Sequence, residues 1–352
     1  MKLRIFLVVV SCVVSLVTGF VIARGDGSGQ SVKGHAKPLI GLSMDTLKEE
    51  RWQGDRDLFV RRAHELGADV LVQSANSDDT RQISDVQALI SRHVDVLVVV
   101  PHNGGAMAKG VHMAHDAGIP VLAYDRLITN CDLDLYMTFD NVKVGELQAK
   151  YLVDHLTKIG TKKIVRIYGA KTDHNALLYK EGQDRVLKPL IAKGDFEVVH
   201  EDWTEDWKPE NAKKITNAAI TKVGPNFDAI LASNDGTAGG AIQALSEEGL
   251  AGKILVTGQD AELSACQRIV NGTQAMTIYK PLSRLAKQAA ETAIKLARGK
   301  PVVASSKVNN GEVDVPSILL DVVVVTKKNM MATVVKDGFH EAADIYRGRP
   351  VP

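Results

Sequence analysis

The chain has 352 residues, 45% of them hydrophobic and 24% charged, with a formal net charge of +1. That length suits roughly two domains of ordinary globular composition, and so even a charge balance offers no field for nucleic acid. Three cysteines, Cys12, Cys131 and Cys266, are too few for a disulfide framework, and the last two are expected as free thiols.

The first predicted element is an export segment over residues 1–23. Lys2 and Arg4 precede a charge-free run from Ile5 to Ala23, and Val21 and Ala23 fit a small-residue cleavage site. The run is also long enough to span a bilayer, so a cleaved signal peptide and a retained N-terminal membrane anchor both remain open. Either way the folded part is expected outside the cytoplasm, periplasmic or tethered to the outer face of the cytoplasmic membrane. Residues 24–37, with "GDGSGQSVKG", read as a flexible linker.

From Pro38 onward, apolar runs of strand length alternate with amphipathic segments. "PLIGLSM", "ADVLVQS", "VDVLVVVP", "IPVLAYD" and "LYMTFDN" form one set. "KKIVRIYG", "FEVVHEDW", "FDAILASND", "ILVTGQD" and "QAMTIYK" form a second. Runs this continuous predict parallel strands buried on both faces. Gly67, Gly118 and Gly249 close helices between them. Ten strands are too many for one comfortable sheet, so two α/β domains are expected, with the break after Asp140. The helix "PLSRLAKQAAETAIKLARG" and the strand-like run "VPSILLDVVVVT" come after both sets, which implies that the chain crosses back. The expected division is 38–140 plus 281–310 for the first lobe and 141–280 plus 311–345 for the second, with a hinged cleft between them.

Ligands of open α/β sheets bind beyond the carboxyl ends of the strands. The residues there are Asp45, Asp125 with Arg126, Asp140 with Asn141, Asn234 with Asp235, Gln259 with Asp260, and Lys280. Any one acid or amide could be a helix cap, but cations are poor at helix N-termini. A phosphate would be repelled by these acids. A metal would not suit Arg51, Arg126 and Lys280 among its ligands. A neutral polyol fits, because each hydroxyl both donates and accepts. All three tryptophans, Trp52, Trp203 and Trp207, fall in connections on the same face, where rings can cover the C–H faces of a sugar. In "ASNDGTAGGAIQAL", Asp235 is expected to cap the helix and Asn234 to reach the ligand.

"HMAH" places His112 and His115 one helical turn apart, but further metal ligands are lacking. Neither G-x-S-x-G nor a P-loop occurs. No metal, cofactor or catalytic residue is expected.

Together "ERWQGDRDLFV", "VLVQSANSDDTRQ", "VLAYDRLI", "FDNVKVGELQA", "ASNDGTAGGAIQAL", "GQDAEL" and "TIYKPL" resemble the xylose-binding branch of the ribose/galactose-type periplasmic substrate-binding proteins of ABC importers. The likeness runs from about residue 40 to 340. It implies the type I periplasmic-binding-protein fold, an α/β pair of Rossmann-like parallel-sheet lobes joined by a three-segment hinge. It implies high-affinity capture of one monosaccharide, D-xylose before ribose or glucose, for an ABC permease with its ATPase. A chemoreceptor or sensor kinase is the alternative partner. Carried over onto matching positions, it assigns Arg51, Trp52, Asp125, Arg126, Asn175, Trp207, Asn234, Asp260 and Lys280 to the sugar, with Trp52 and Trp207 clamping its ring from opposite lobes. Asp45, Asp140 and Trp203 are further candidates. Thr46 and His174 depart from the family pattern and bear on epimer preference.

Overall fold

Each continuous apolar run becomes a buried strand because its alternate side chains feed two separate cores. In the computed structural model, which describes residues 36–157 and 159–352, strands and helices alternate along most of the chain. The predicted export segment, Cys12 and the linker up to residue 35 lie outside the described residues. In order come β1 (Leu39–Met44), α1 (Glu50–Glu65), β2 (Asp69–Ser74), α2 (Asp79–Ser91), β3 (Val96–Val99), α3 (Ala108–Asp116), β4 (Val121–Tyr124) and β5 (Leu135–Phe139). Then follow α4 (Asn141–His155), β6 (Lys162–Tyr168), α5 (His174–Ala192), β7 (Phe196–Trp203), α6 (Pro209–Val223), β8 (Ala229–Ala232), α7 (Asp235–Glu247), β9 (Leu255–Val256), α8 (Leu263–Asn271) and β10 (Thr277–Tyr279). The chain closes with α9 (Leu282–Ala297), β11 (Ser306–Asn309), β12 (Asp314–Leu320), β13 (Val323–Val325) and α10 (Ala342–Ile345).

The first sheet has the order β11-β12-β5-β4-β3-β1-β2, parallel except for β11. In β3, Val96 and Val98 pack with α1 and α9, while Leu97 and Val99 pack with α2 and α3. The second lobe repeats the scheme with β7-β6-β8-β9. There Ile230 and Ala232 face α6 and α7, and Ala229 and Leu231 face α4 and α5. Hydrogen bonds from Ala275 N to Val256 O and from Ile278 N to Gly258 O carry this sheet on towards the antiparallel β10-β13 pair. Gly67, Gly118 and Gly249 take the left-handed conformation at the ends of α1, α3 and α7.

Two readings of the C-terminal part are corrected. "VPSILLDVVVVT" is two strands, not one. β12 joins the first sheet beside β5 and β13 the second beside β10. The return to the first lobe therefore runs on through β12 to Leu320, rather than ending at residue 310, because β12 completes the pairing that β5 offers. Among the described residues the chain passes between the sheets three times: β5 to α4, β10 to α9, and β12 to β13. In each sheet the strand with parallel neighbours reached in opposite directions, β1 and β6, marks a switch point where a crevice opens beyond the strand ends.

Candidate functional site

The strand ends of both lobes converge on a cluster of buried charge. Arg51, in the first turn of α1, is 2.8 Å from Asp125, 3.2 Å from Asp55 and 3.3 Å from Asp260 of the second lobe. Burial opposes its charge, yet Asp125, Asp55 and Asp260 hold the guanidinium pKa well above its usual value. Burial likewise pushes Asp125 up, but Arg51, Lys280 and Arg126 together outweigh it and the carboxyl falls below its ordinary range. Arg126 pairs with Asp45 at 2.7 Å and, across the cleft, with Asp173 at 3.0 Å. Trp52 is buried, with the Arg51 guanidinium carbon 4.2 Å and that of Arg126 5.1 Å from its ring centroid.

The second lobe supplies an aromatic wall and amides. Trp207 ends the turn Glu205–Trp207, where both Asp206 (φ 51°) and Trp207 (φ 56°) are left-handed. Its ring lies on Gly169, where any Cβ would overlap it, and its Nε1 donates to Asp173 at 3.2 Å. Asn175, at the start of α5, donates through Nδ2 to the Asp125 carbonyl at 3.0 Å and accepts from Asn141 at 2.8 Å. It thereby ties the end of β4 to the second lobe. Lys280 is fully buried and donates to the Tyr179 hydroxyl at 2.8 Å, with Asp260 4.0 Å away. Burial lowers its ammonium pKa.

The helix cap after β8 is corrected by one residue. Asn234, not Asp235, caps α7: its side chain accepts from Thr237 N at 2.8 Å, and Thr237 Oγ1 accepts from Asn234 N at 3.2 Å. The capping residue must have extended backbone, and Asn234 does (φ −143°, ψ 177°). Asp235 instead points into the lobe, accepting from Gln274 at 2.7 Å, Thr277 at 2.8 Å and Glu262 N at 3.0 Å. Asn234 still lines the cleft.

Eight of the nine carried-over residues, Arg51, Trp52, Asp125, Arg126, Asn175, Trp207, Asn234 and Asp260, line one cleft. Lys280 lies behind Tyr179 and Asp260. Of the further candidates, Asp45 lines an adjoining crevice and holds Arg126. Asp140 caps α4 through Lys143 N at 2.9 Å, and Trp203 packs at a tilt against Tyr168 with ring centroids 4.8 Å apart; neither lines the cleft. The sequence reading passed over three lining residues, Glu49, Asp173 and Tyr179, and placed a fourth, Gln259, at a strand end without assigning it to the sugar. Tyr179 was findable, standing four residues after Asn175 on the same helix face. Asp173 lies too far beyond the end of β6 to be read as a strand-end residue.

Three buried oxygens at the cleft and its crevice, Glu49 Oε2, Gln259 Oε1 and Asp45 Oδ1, have no protein donor. Burial raises the Glu49 carboxyl. Buried acceptors left unmatched are costly, so this set calls for a ligand rich in donors, while Arg51, Arg126 and the amides supply donors in return. Both halves of that demand are met by hydroxyl groups. Among the described residues no cluster of three or more metal-ligand side chains occurs, and His115 is engaged by Asp134 at 2.8 Å. Cys131 and Cys266 are buried and free, and burial pushes the Cys131 thiol up to about 12.

Residues 40–301 match the periplasmic binding protein domain family. A D-xylose-binding periplasmic protein of Haemophilus influenzae is 50% identical over 317 residues, covering 90% of this chain and 95% of that protein. One from Escherichia coli is 49% identical, with the same coverage. Among solved structures, a carbohydrate transporter solute-binding protein from Chloroflexus aurantiacus, in complex with D-glucose, superposes with a TM-score of 0.82 at 33% identity. That match covers 87% of this chain and 97% of the other.

Proposed function

This chain belongs to the periplasmic binding protein family, and from that premise we propose that it captures D-xylose between its lobes for delivery to an ABC importer in the cytoplasmic membrane. The observation that carries the reading is the cleft itself. Carboxylates, guanidinium groups and amides from both lobes line one cleft, with buried acceptors that lack a protein donor. Trp52 and Trp207 cover the apolar faces of the sugar ring. Arg51, Asp125, Arg126, Asn175, Asn234 and Asp260 meet its hydroxyls, and such charge-assisted bonds are roughly twice as strong as neutral ones. Lys280 acts from behind by fixing Tyr179 and Asp260. Asp125, Asp173 and Asp260 are held as ion-pair acceptors, an arrangement for recognition rather than proton transfer.

Closure follows from the same contacts. Ligand groups that need both lobes stabilise only the form in which the lobes meet. The protein works in the periplasm, where the importer can distinguish the loaded form by its shape.

A calorimetric panel of xylose, arabinose, ribose, glucose and galactose tests the reading, with xylose expected to bind tightest. Tighter binding of ribose or glucose would overturn the specificity. Trp207→Ala is expected to weaken binding at least about tenfold, the scale for a buried aromatic anchor. Unchanged affinity would remove Trp207 from the site.

A further inference from the structure

We propose that His102 and Asp206 form a proton-dependent clasp between the lobes, which strengthens sugar binding from outside the sugar site. The proposal rests on the sugar-binding reading for its ligand but has a ligand-independent test. His102 follows β3 in the first lobe. Its Nδ1 is 2.8 Å from Asp79 Oδ1, and its Nε2 is 3.4 Å from Asp206 Oδ1 in the second lobe. The latter is an ion-pair distance without hydrogen-bond geometry, and Nε2 is buried with no other partner.

The ring is fixed from its own lobe. His102 N donates to Gln82 at 2.8 Å, and Asn103 Nδ2 donates to the other oxygen of Asp79 at 3.1 Å. Asp79 therefore takes the Nδ1 proton. In a neutral ring this leaves the Nε2 lone pair facing a carboxylate, which repels. A second proton makes Nε2 a donor and turns the same contact into attraction.

Charged groups face the ring from both lobes. Asp79 faces the ring from α2, and Asp206 faces it from the turn, where Lys208 is bound to Asp206 at 2.8 Å. In the adjoining crevice Asp45 and Asp173 are both paired with Arg126, and Glu49 stands beside them. The turn that carries Asp206 also carries Trp207, with both residues in a backbone region that non-glycine residues seldom adopt. A contact made only when the lobes meet thus steadies the turn that presents the cleft's aromatic wall.

His102 is a positioning residue, so pH must be part of its test. Xylose affinity is measured at pH 5.5 and pH 8 for the wild type, His102→Gln, Asp206→Asn and the double variant. Asparagine tolerates the left-handed conformation, so Asp206→Asn keeps the turn. The wild type is expected to bind about two- to five-fold more tightly at pH 5.5, the range for a half-buried ion pair. Either single variant should lose that gain, and the double variant should lose no more than one of them. A gain that persists in His102→Gln, or losses that add in the double variant, would overturn the clasp. Small-angle scattering of the sugar-free protein reads it without a ligand. The wild type should become more compact from pH 8 to pH 5.5, and His102→Gln should not. If no sugar bound while this compaction held, the sugar reading would fail and the clasp would stand. Equal scattering changes in both proteins would sink the clasp alone.

Discussion

Asp235 is a residue whose environment runs against its charge. Burial pushes its carboxyl up to about 7, against the pull of Arg268 and the bonds from Gln274 and Thr277. The native state therefore holds this proton more tightly than the unfolded chain, whose aspartates titrate near about 4. The stabilisation is present in full below that lower value and is lost as pH rises towards 7. Asp235→Asn should remove much of this fall, with Glu262, raised beside it by burial, carrying a remainder. Denaturant unfolding at pH 4.5 and 7.5 measures it: parallel losses in the two proteins would remove Asp235 as the source. At this scale the sequence was informative wherever a polar residue stood at the end of an apolar run. Asp125, Arg126, Asn234 and Asp260 were legible because strand ends are easy to find. Asp173 and Glu49 were not, because their place in the cleft depends on loop paths that carry no periodic signal. The cap at Asn234 was misread because backbone conformation, not residue type, decides between adjacent Asn and Asp.

Helices α4 and α5 show what residue choice does to an element. Gly145 lies against the Tyr179 carbonyl, and Gly182 lies against that of Val142, so a Cβ at either site would meet backbone. This reciprocal contact sets how close α5 sits, and α5 carries both Asn175 and Tyr179 into the cleft. Gly182→Ala should cost about 1–3 kcal/mol through overpacking and should also weaken sugar binding, although residue 182 does not line the cleft. Thermal unfolding with calorimetry checks both, and a stability loss with unchanged affinity would uncouple the helix from the site. Element type was legible from apolar runs and helix-closing glycines. The break at Asp321 between β12 and β13 was not, because two strands joined end to end have the same composition as one. β11 was missed because its burial alternates between partial and none, leaving little apolar pattern to detect.

For the whole molecule, the polar bridges between the lobes couple ligand binding to stability. Saturating xylose, at about one hundred times its dissociation constant, should raise unfolding stability by about 2.7 kcal/mol. A stabilisation by galactose equal to that by xylose would contradict the specificity assigned here. The two-lobe plan was visible from the count of strand runs. The extent of the return to the first lobe was not, since it is fixed by which sheet edge accepts β12.

That return has a consequence in time. The first sheet is missing β12, its partner for β5, until residue 320 has been made, so the earlier part of the chain cannot complete its own lobe as it leaves the ribosome. A chain stopped after Asn310 should therefore lack cooperative unfolding, even though it contains α9 and β11. Distant pairing of this kind also slows folding. For a chain bound for export, slowness has a use: the polypeptide stays unfinished, and so threadable, until almost all of it exists.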